Sequence, residues 1–379
     1  GHAMAHELPP GATGVITIDL DAVHANWRAL AARVAPAECA AVVKADAYGL
    51  GAAKIVPGLA RAGCRTFFVA TPEEGHAARL LVPEARLFAL DGLFPGAAPL
   101  LLGADVAPVL SSLAEVEDWA REAARAGRPL PAALQIDSGL NRLGLPESEV
   151  QALAAQPALL GALDLRLVMS HLASADDPAD PNNEAQRAAF ERRRALLPPA
   201  PASLAASDGL MLGPDYHFDL VRPGYALYGG QAFRGGATPV SPVVTVRARV
   251  LQVRTLETGS SVGYSATWRA RRPTRIAVIA AGYADGIARA LSAPSDTAAA
   301  MVVVAGQRAP IVGRVSMDLI TVDVTDVAGE IRRGDLATLI GPGLTIEAMG
   351  TAAGTIGYEV LTRLGPRFVR QYTGGGRLA

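Results

Sequence analysis

Between Ala40 and Val221 short, continuously apolar runs alternate with segments of helical pattern, and this alternation constrains the fold more than any other feature. The runs fall at 40–44, 66–70, 86–90, 106–110, 132–136, 165–169, 203–206 and 218–221. Apolar on both faces, they read as strands of a parallel sheet covered by helices. Segments 72–81, 113–126, 147–155 and 182–197 read as helices between them. Asn182 offers an N-cap side chain, and Pro198-Pro199 supplies a stop. Eight alternations over roughly 200 residues predict an α/β fold, a (β/α)8 barrel of the TIM type. The third and seventh units have helices that are short or broken by proline.

After Gly230 the pattern changes. Residues 231–242 are rich in Gly and Pro and read as a linker, so the barrel is assigned to 13–240. Long β runs follow at 243–255, 275–281, 299–305, 311–324 and 335–339, separated by Gly-Asp and Gly-Pro-Gly turns. They predict a mostly β domain over 241–379. Residues 15–19 alternate apolar and polar, which fits an added strand of that second domain. A chain of 379 residues suits two domains.

Charge and cysteine usage exclude several classes. The 35 basic and 36 acidic residues nearly cancel and form no basic stripe, which argues against nucleic acid as a partner. Cys39 and Cys64 each lie in an apolar run without a C-x-x-C spacing, so a zinc site or disulfide scaffold is not expected. They read as buried thiols in a reducing compartment. No apolar run approaches the roughly 20 residues of a membrane helix, and no signal-peptide pattern appears. Gly1 to Ala5 read as a cleavage scar and are set aside. The expected location is the cytoplasm.

Reactive residues of such a barrel sit at the carboxyl ends of its strands. Those positions hold Lys44, Asp137 and Arg142, His171, Ser207 and Arg222. A lysine ending an apolar strand either snorkels to water or is functional, and burial makes its amine neutral enough to form an imine. Tyr48 adds a hydroxyl within reach of a phosphate, and Gly49 and Gly51 permit close backbone approach. Ser207 by itself reads as a helix cap. With Gly224-Tyr225 after the eighth strand, it also suits the phosphate site that barrels build between their last two loops. Lysine and phosphate site together suggest a phosphate-bearing carbonyl cofactor. Arg222 would face the nitrogen of a pyridine ring lying between them. Being always protonated, it donates a hydrogen bond and leaves that nitrogen unprotonated, which favours proton removal and return over decarboxylation. His171 reads either as a satisfied core histidine or as the group orienting that guanidinium.

Seven segments carry a family resemblance: AVVKADAYGLG at 41–51, DSGLNRLG at 137–144, VRPGYALYGG at 221–230, SVGYSATW at 261–268, GYADG at 282–286, VGRVSMD at 312–318 and GTIGYEVL at 354–361. In this order they resemble the alanine racemases, pyridoxal-phosphate enzymes of fold type III, over residues 13–379. The resemblance implies a homodimer with shared sites that interconverts L- and D-alanine on pyridoxal 5′-phosphate and supplies D-alanine for peptidoglycan. It implies that Lys44 is the Schiff-base lysine and one catalytic base. Tyr264, from the partner subunit, is then the second. Arg142 would contact the substrate carboxylate, Met317 would offer its amide with Asp318 beside it, and Tyr283 would narrow the substrate's approach. Tyr48, Ser207, Gly224, Tyr225 and Tyr358 match the phosphate cradle. Racemisation itself requires a base on each face of a planar carbanion, and a nearby arginine would acidify a tyrosine for that task.

One position departs from the family. Many relatives carry a carbamylated lysine two residues before the aspartate of the DSG motif, where this chain has Gln135. The expectation is that the Gln135 amide oxygen, or a bound anion such as chloride, positions Arg142. Ser316 stands where some relatives have cysteine. Rival readings are a racemase of broader specificity, a fold type III decarboxylase and a non-catalytic pyridoxal-phosphate carrier. Arg222 argues against the second, and the long β domain against the third. A pocket discriminates one methylene by only about 1–3 kcal/mol, so activity on serine stays open.

Overall fold

The computed structural model describes residues 8–293 and 300–376, and the chain divides into two compact units. One unit combines the segment up to Leu20 with Val243–Gly374; the other is Asp21–Pro242 with the residues from Gly375 onward. In chain order, β1 (Gly14–Asp19) precedes α1 (Leu20–Val34). Then follow β2 (Glu38–Cys39), β3 (Ala41–Val42), α2 (Ala52–Ala62), β4 (Thr66–Val69), α3 (Pro72–Leu81), β5 (Arg86–Ala89), α4 (Ala97–Ala104) and β6 (Ala107–Leu110). They continue as α5 (Leu113–Ala126), β7 (Leu130–Gln135), α6 (Glu147–Ala154), β8 (Leu163–Met169), α7 (Asn182–Arg194), β9 (Ala202–Ser203) and β10 (Leu220–Val221).

Strands β3 to β9 form one parallel sheet in sequence order. The eighth strand closes it. β10 pairs in parallel with β2, while the amides of Asp219 and Arg222 donate to the carbonyls of Ala202 and Ala205 along the β9 run. Every residue of β4 and β6 is buried, as strands covered on both faces require. The helices start where the local chemistry says they should. Thr71 and Glu74 form a capping box at α3, and the Ser112 side chain accepts from the Glu115 amide at α5, which ends on Gly127 at φ 70°.

Three expectations need correction here. Asn182 does not cap α7: it is the first helical residue, Pro181 holds the cap position without a side-chain bond, and the helix stops at Arg194. The seventh unit has no α-helix. Gly209, Gly213 and Pro214 break it into two 3₁₀ turns, Gly209–Leu212 and Pro214–Tyr216. Ser207 is not the cap of the first turn, since Asp208 occupies that position.

The other unit holds β11 (Val244–Leu256), β12 (Ser261–Val262), β13 (Trp268–Arg269), β14 (Thr274–Ile279), β15 (Met301–Val304), β16 (Gln307–Pro310), β17 (Ile320–Asp323), β18 (Leu336–Ile340), α8 (Ile346–Ala352), α9 (Gly357–Thr362) and β19 (Val369–Thr373). Its main sheet runs β16-β15-β18-β11-β1-β19, and the far half of β11 pairs with β14, which pairs with β17. β1 thus lies antiparallel to β11 and parallel to β19. The run at 311–324 is not one strand. Ile311 bridges back to Val322 and the Val312 amide donates to the Thr321 carbonyl, so the segment is a hairpin whose tip carries Ser316 to Leu319. Position 299 of the expected 299–305 run lies outside the described residues. Among the described residues no helix is long and apolar enough to cross a membrane, and no group of three His, Cys, Asp or Glu could hold a metal.

Candidate active site

Lys44 leaves the end of β3 half-buried. Burial lowers its basicity, the positive charge of Arg142 adds to that and Arg222 contributes; Asp91 and Glu74 pull the other way without cancelling it. The next four residues, Ala45, Asp46, Ala47 and Tyr48, all take left-handed backbone angles, with φ of 52°, 55°, 52° and 57°. Left-handed conformation costs an L-residue roughly 1–2 kcal/mol, so four in succession persist only under firm external restraint. The restraints are visible. The Ala45 amide donates to Glu74 Oε2 at 2.7 Å, and the Ala52 amide to Asp46 Oδ1 at 2.8 Å. Tyr48 packs on Tyr228 with ring centroids 4.9 Å apart, and the Tyr228 hydroxyl donates to the Val42 carbonyl at 2.9 Å.

Across the same barrel mouth, Ser207 Oγ accepts from the amides of Gly224 at 3.2 Å and Ala226 at 3.0 Å. A Cβ on Gly224 would stand 2.3 Å from Tyr48 Oη, so only glycine lets that hydroxyl meet this loop. Two hydroxyls and two backbone amides therefore converge. With both amides donating to Ser207 Oγ, that hydroxyl keeps its own proton to donate; a loop so built suits a phosphate group, and Lys44 at the same mouth suits the carbonyl of the same molecule. Tyr225, buried at the start of a 3₁₀ turn, supports the loop from within.

Arg222 is fully enclosed at the end of β10. It donates to Ser203 Oγ and, at 2.7 Å, to the Ser170 carbonyl, and it lies over the Phe68 ring. The guanidinium is therefore oriented by two serines; of the two readings that the sequence left open for His171, the one in which it orients Arg222 is not what forms. His171 nevertheless belongs to the cluster. Burial, then the charges of Arg222, Arg142 and Lys44, push its ring down to about 3, so it is neutral at physiological pH.

Arg142 lies exposed on the loop after β7. Asp137 Oδ1 shapes that loop by accepting from the Gly139 and Asn141 amides, and Arg193 of α7 binds the Asp137 carbonyl. The expected bond from Arg142 to Gln135 is not formed. Gln135 is buried, and its Oε1 faces Ser111 Oγ at 3.5 Å.

The β unit presents the remaining residues. Tyr264 caps the β12–β13 hairpin and is 71% exposed. The hairpin rests on a core of Val262, Ile276 and Val312 with Trp268 packed against it. Tyr283 and Met317 come together through backbone: the Tyr283 amide donates to the Ser316 carbonyl at 3.0 Å, and that of Ala284 to the Met317 carbonyl at 2.9 Å. The Met317 amide itself has no acceptor among the described residues, which leaves it available to a carboxylate. The Asp318 carboxylate is paired within the unit. Arg367 Nη1 holds Asp318 Oδ1 at 2.8 Å and grips the buried Asp285 carboxylate with two further bonds. Tyr358 lies half-buried on α9. Glu74, Asp285 and Arg367 escaped the sequence reading; for Glu74 the signal was there to be found, in the T-P-E-E capping pattern at 71–74.

Comparison with known proteins places both units. Residues 18–232 match the alanine racemase N-terminal domain family, and 243–372 match the alanine racemase C-terminal domain family. An alanine racemase of Rhodospirillum rubrum is 48% identical over 374 residues, 98% of either chain. A catabolic alanine racemase of Mesorhizobium japonicum is 47% identical, over 96% of this chain and 94% of that one. Among solved structures, alanine racemase from Bartonella henselae with covalently bound pyridoxal phosphate superposes with a TM-score of 0.91 at 43% identity, covering 96% of this chain and all of the other.

Proposed function

This chain belongs to the alanine racemase family, and on that premise we propose that Lys44 and Tyr264 are the two bases with which it interconverts L- and D-alanine. The enzyme is an isomerase dependent on pyridoxal 5′-phosphate. The observation that carries the residue assignment is the barrel mouth, where a lysine of lowered basicity faces a cradle of Tyr48 Oη, Ser207 Oγ and the Gly224 and Ala226 amides. Pyridoxal phosphate held there supplies an electron sink for the substrate's α-carbon.

Lys44 Nζ takes or returns the α-proton on one face, and the Tyr264 hydroxyl serves the other. Arg142 holds the substrate carboxylate and favours the ionised form of the tyrosine. The free Met317 amide takes the second carboxylate oxygen, while Asp318 acts at a distance by bracing that loop through Arg367. Arg222, a donor only, would offer a hydrogen bond to the pyridine nitrogen without protonating it, which would keep the electron sink weak and favour return of the proton to the same carbon. A decarboxylase would want a carboxylate at this place. Tyr283 and Tyr358 limit side-chain volume and favour alanine. With Gln135 turned toward Ser111, an anion such as chloride is the remaining candidate for positioning Arg142.

Tyr264 stands on a hairpin tip, and we assign it to the site of a second copy in a homodimer. The product D-alanine then feeds peptidoglycan synthesis in the cytoplasm, a compartment that suits two free, buried thiols. Mixing two inactive variants tests the sharing. Lys44→Ala and Tyr264→Phe, combined and allowed to exchange subunits, regain about a quarter of native activity, because half the dimers carry one intact site of two. A chiral assay on L-alanine reads this out. No recovery after proven exchange places both bases in one chain.

A further inference from the structure

Glu74 accepts more than a helix cap requires. Its Oε1 takes the Ala70 amide at 2.7 Å and the Thr71 amide at 3.3 Å, which is the capping-box arrangement at the start of α3. Its Oε2 takes the Ala45 amide at 2.7 Å, 29 residues earlier and directly after Lys44. Ala45 is the first of the four left-handed residues, so this bond fixes the backbone at the point where the turn departs from β3. A cap needs one acceptor oxygen and is satisfied by Glu or Gln alike. Two acceptor oxygens pointing at two separate segments require the carboxylate.

We propose that Glu74 is a positioning residue for Lys44, fastening the left-handed turn behind it to the start of α3 and fixing a negative charge beside its amine. This rests on the reading of Lys44 as the cofactor lysine. The charged and titratable groups facing that amine are Arg142 from the loop after β7, Arg222 after β10, Asp91 after β5, Glu74 on α3 and His171 after β8. Two guanidinium groups oppose two carboxylates there, and removing one carboxylate tips the balance toward the neutral amine. The turn is the second half of the role. Released from Glu74, the Ala45 amide loses its acceptor, and four strained residues gain freedom to relax toward right-handed angles, carrying Lys44 off its line.

The chain offers an unusual way to test this, because Lys44 and Lys54 are its only lysines. Lys54 is exposed on α2 and serves as an internal reference. The full chain stripped of cofactor is labelled with trinitrobenzenesulfonate across a pH series, and peptide mass spectrometry reads each lysine separately. Capture of added pyridoxal phosphate is timed by its absorbance and fixed with borohydride. Glu74→Gln keeps the cap and loses the second acceptor and the charge. It is expected to lower the Lys44 labelling midpoint relative to Lys54 by roughly half a pH unit and to slow cofactor capture about tenfold, with the melting temperature near native. Thr71→Ala weakens the cap and leaves the Ala45 bond in place, so the melting temperature falls while the Lys44 midpoint stays. The proposal is overturned when Glu74→Gln leaves midpoint and capture unchanged, or when Thr71→Ala moves them as far. Cofactor recovered on Lys54 in the native chain would instead sink the reading of Lys44, and the labelling midpoints would still report on Glu74.

Discussion

His171 sits among three positive charges that hold its ring neutral, and stability should register this. The folded ring takes a proton only at about 3, whereas an unfolded histidine does so near 6.5. Between those values the unfolded chain binds more protons, so stability declines as pH drops from about 6.5 toward 3 and is unaffected by this group above it. His171→Gln is expected to flatten that part of the profile, which urea midpoints at about pH 7.5 and 5 would measure. An unchanged slope would mean that other groups carry the acid sensitivity. The list of residues at the barrel mouth was legible because strand ends can be counted from apolar runs, and Lys44, Arg222 and Ser207 fall there. Their partners were not. Whether Arg222 leans on His171 or on Ser170 and Ser203 depends on side-chain directions that spacing does not encode. The left-handed turn after Lys44 was hidden for a related reason: two of its restraints, Glu74 on the Ala45 amide and Tyr228 against Tyr48, come from other elements.

The elements of the β unit show how loops can be built to tolerances that their own sequence cannot guarantee. The loops at 282–286 and 316–318 meet so closely that a Cβ on Gly282 would lie 2.3 Å from the Met317 carbonyl oxygen. Arg367, nearly fifty residues from the nearer loop, ties both together through Asp285 and Asp318. Arg367→Gln would leave a buried carboxylate half-paired and slacken the seam. The expected result is a fall in kcat/KM of roughly tenfold, with a melting temperature several degrees lower, while cofactor capture at Lys44 stays native. Loss of cofactor capture as well would show that Arg367 supports the fold at large. At this scale the sequence predicted paired strands well wherever apolar residues ran on without Gly. It failed at 311–324, where Gly313 at φ 73° and a bond from the Ser316 amide to the Leu319 carbonyl turn an apolar run into a hairpin. At α4 it offered only a short helix without bounds, because the residues of that helix show no polar face.

Across the whole molecule, two units of different construction divide the chemistry between them. On the proposed assignment the barrel unit brings the cofactor cradle and one base, and the β unit brings the exposed tyrosine and the amide that would meet a carboxylate. The apolar pattern changes period near Gly230, since strands covered on both faces and strands with alternating faces write different patterns. Which copy supplies which base is not written in any pattern of one chain, and subunit mixing decides it. The scarcity of lysine has a practical side. With Lys54 alone exposed on α2, aldehyde or ester reagents that couple through side-chain amines have one surface handle. With the cofactor in place guarding Lys44, one equivalent of such a reagent is expected to give a single side-chain adduct, visible as one mass increment on the α2 peptide. Each subunit coupled to a support through it would be held at the same place, on α2.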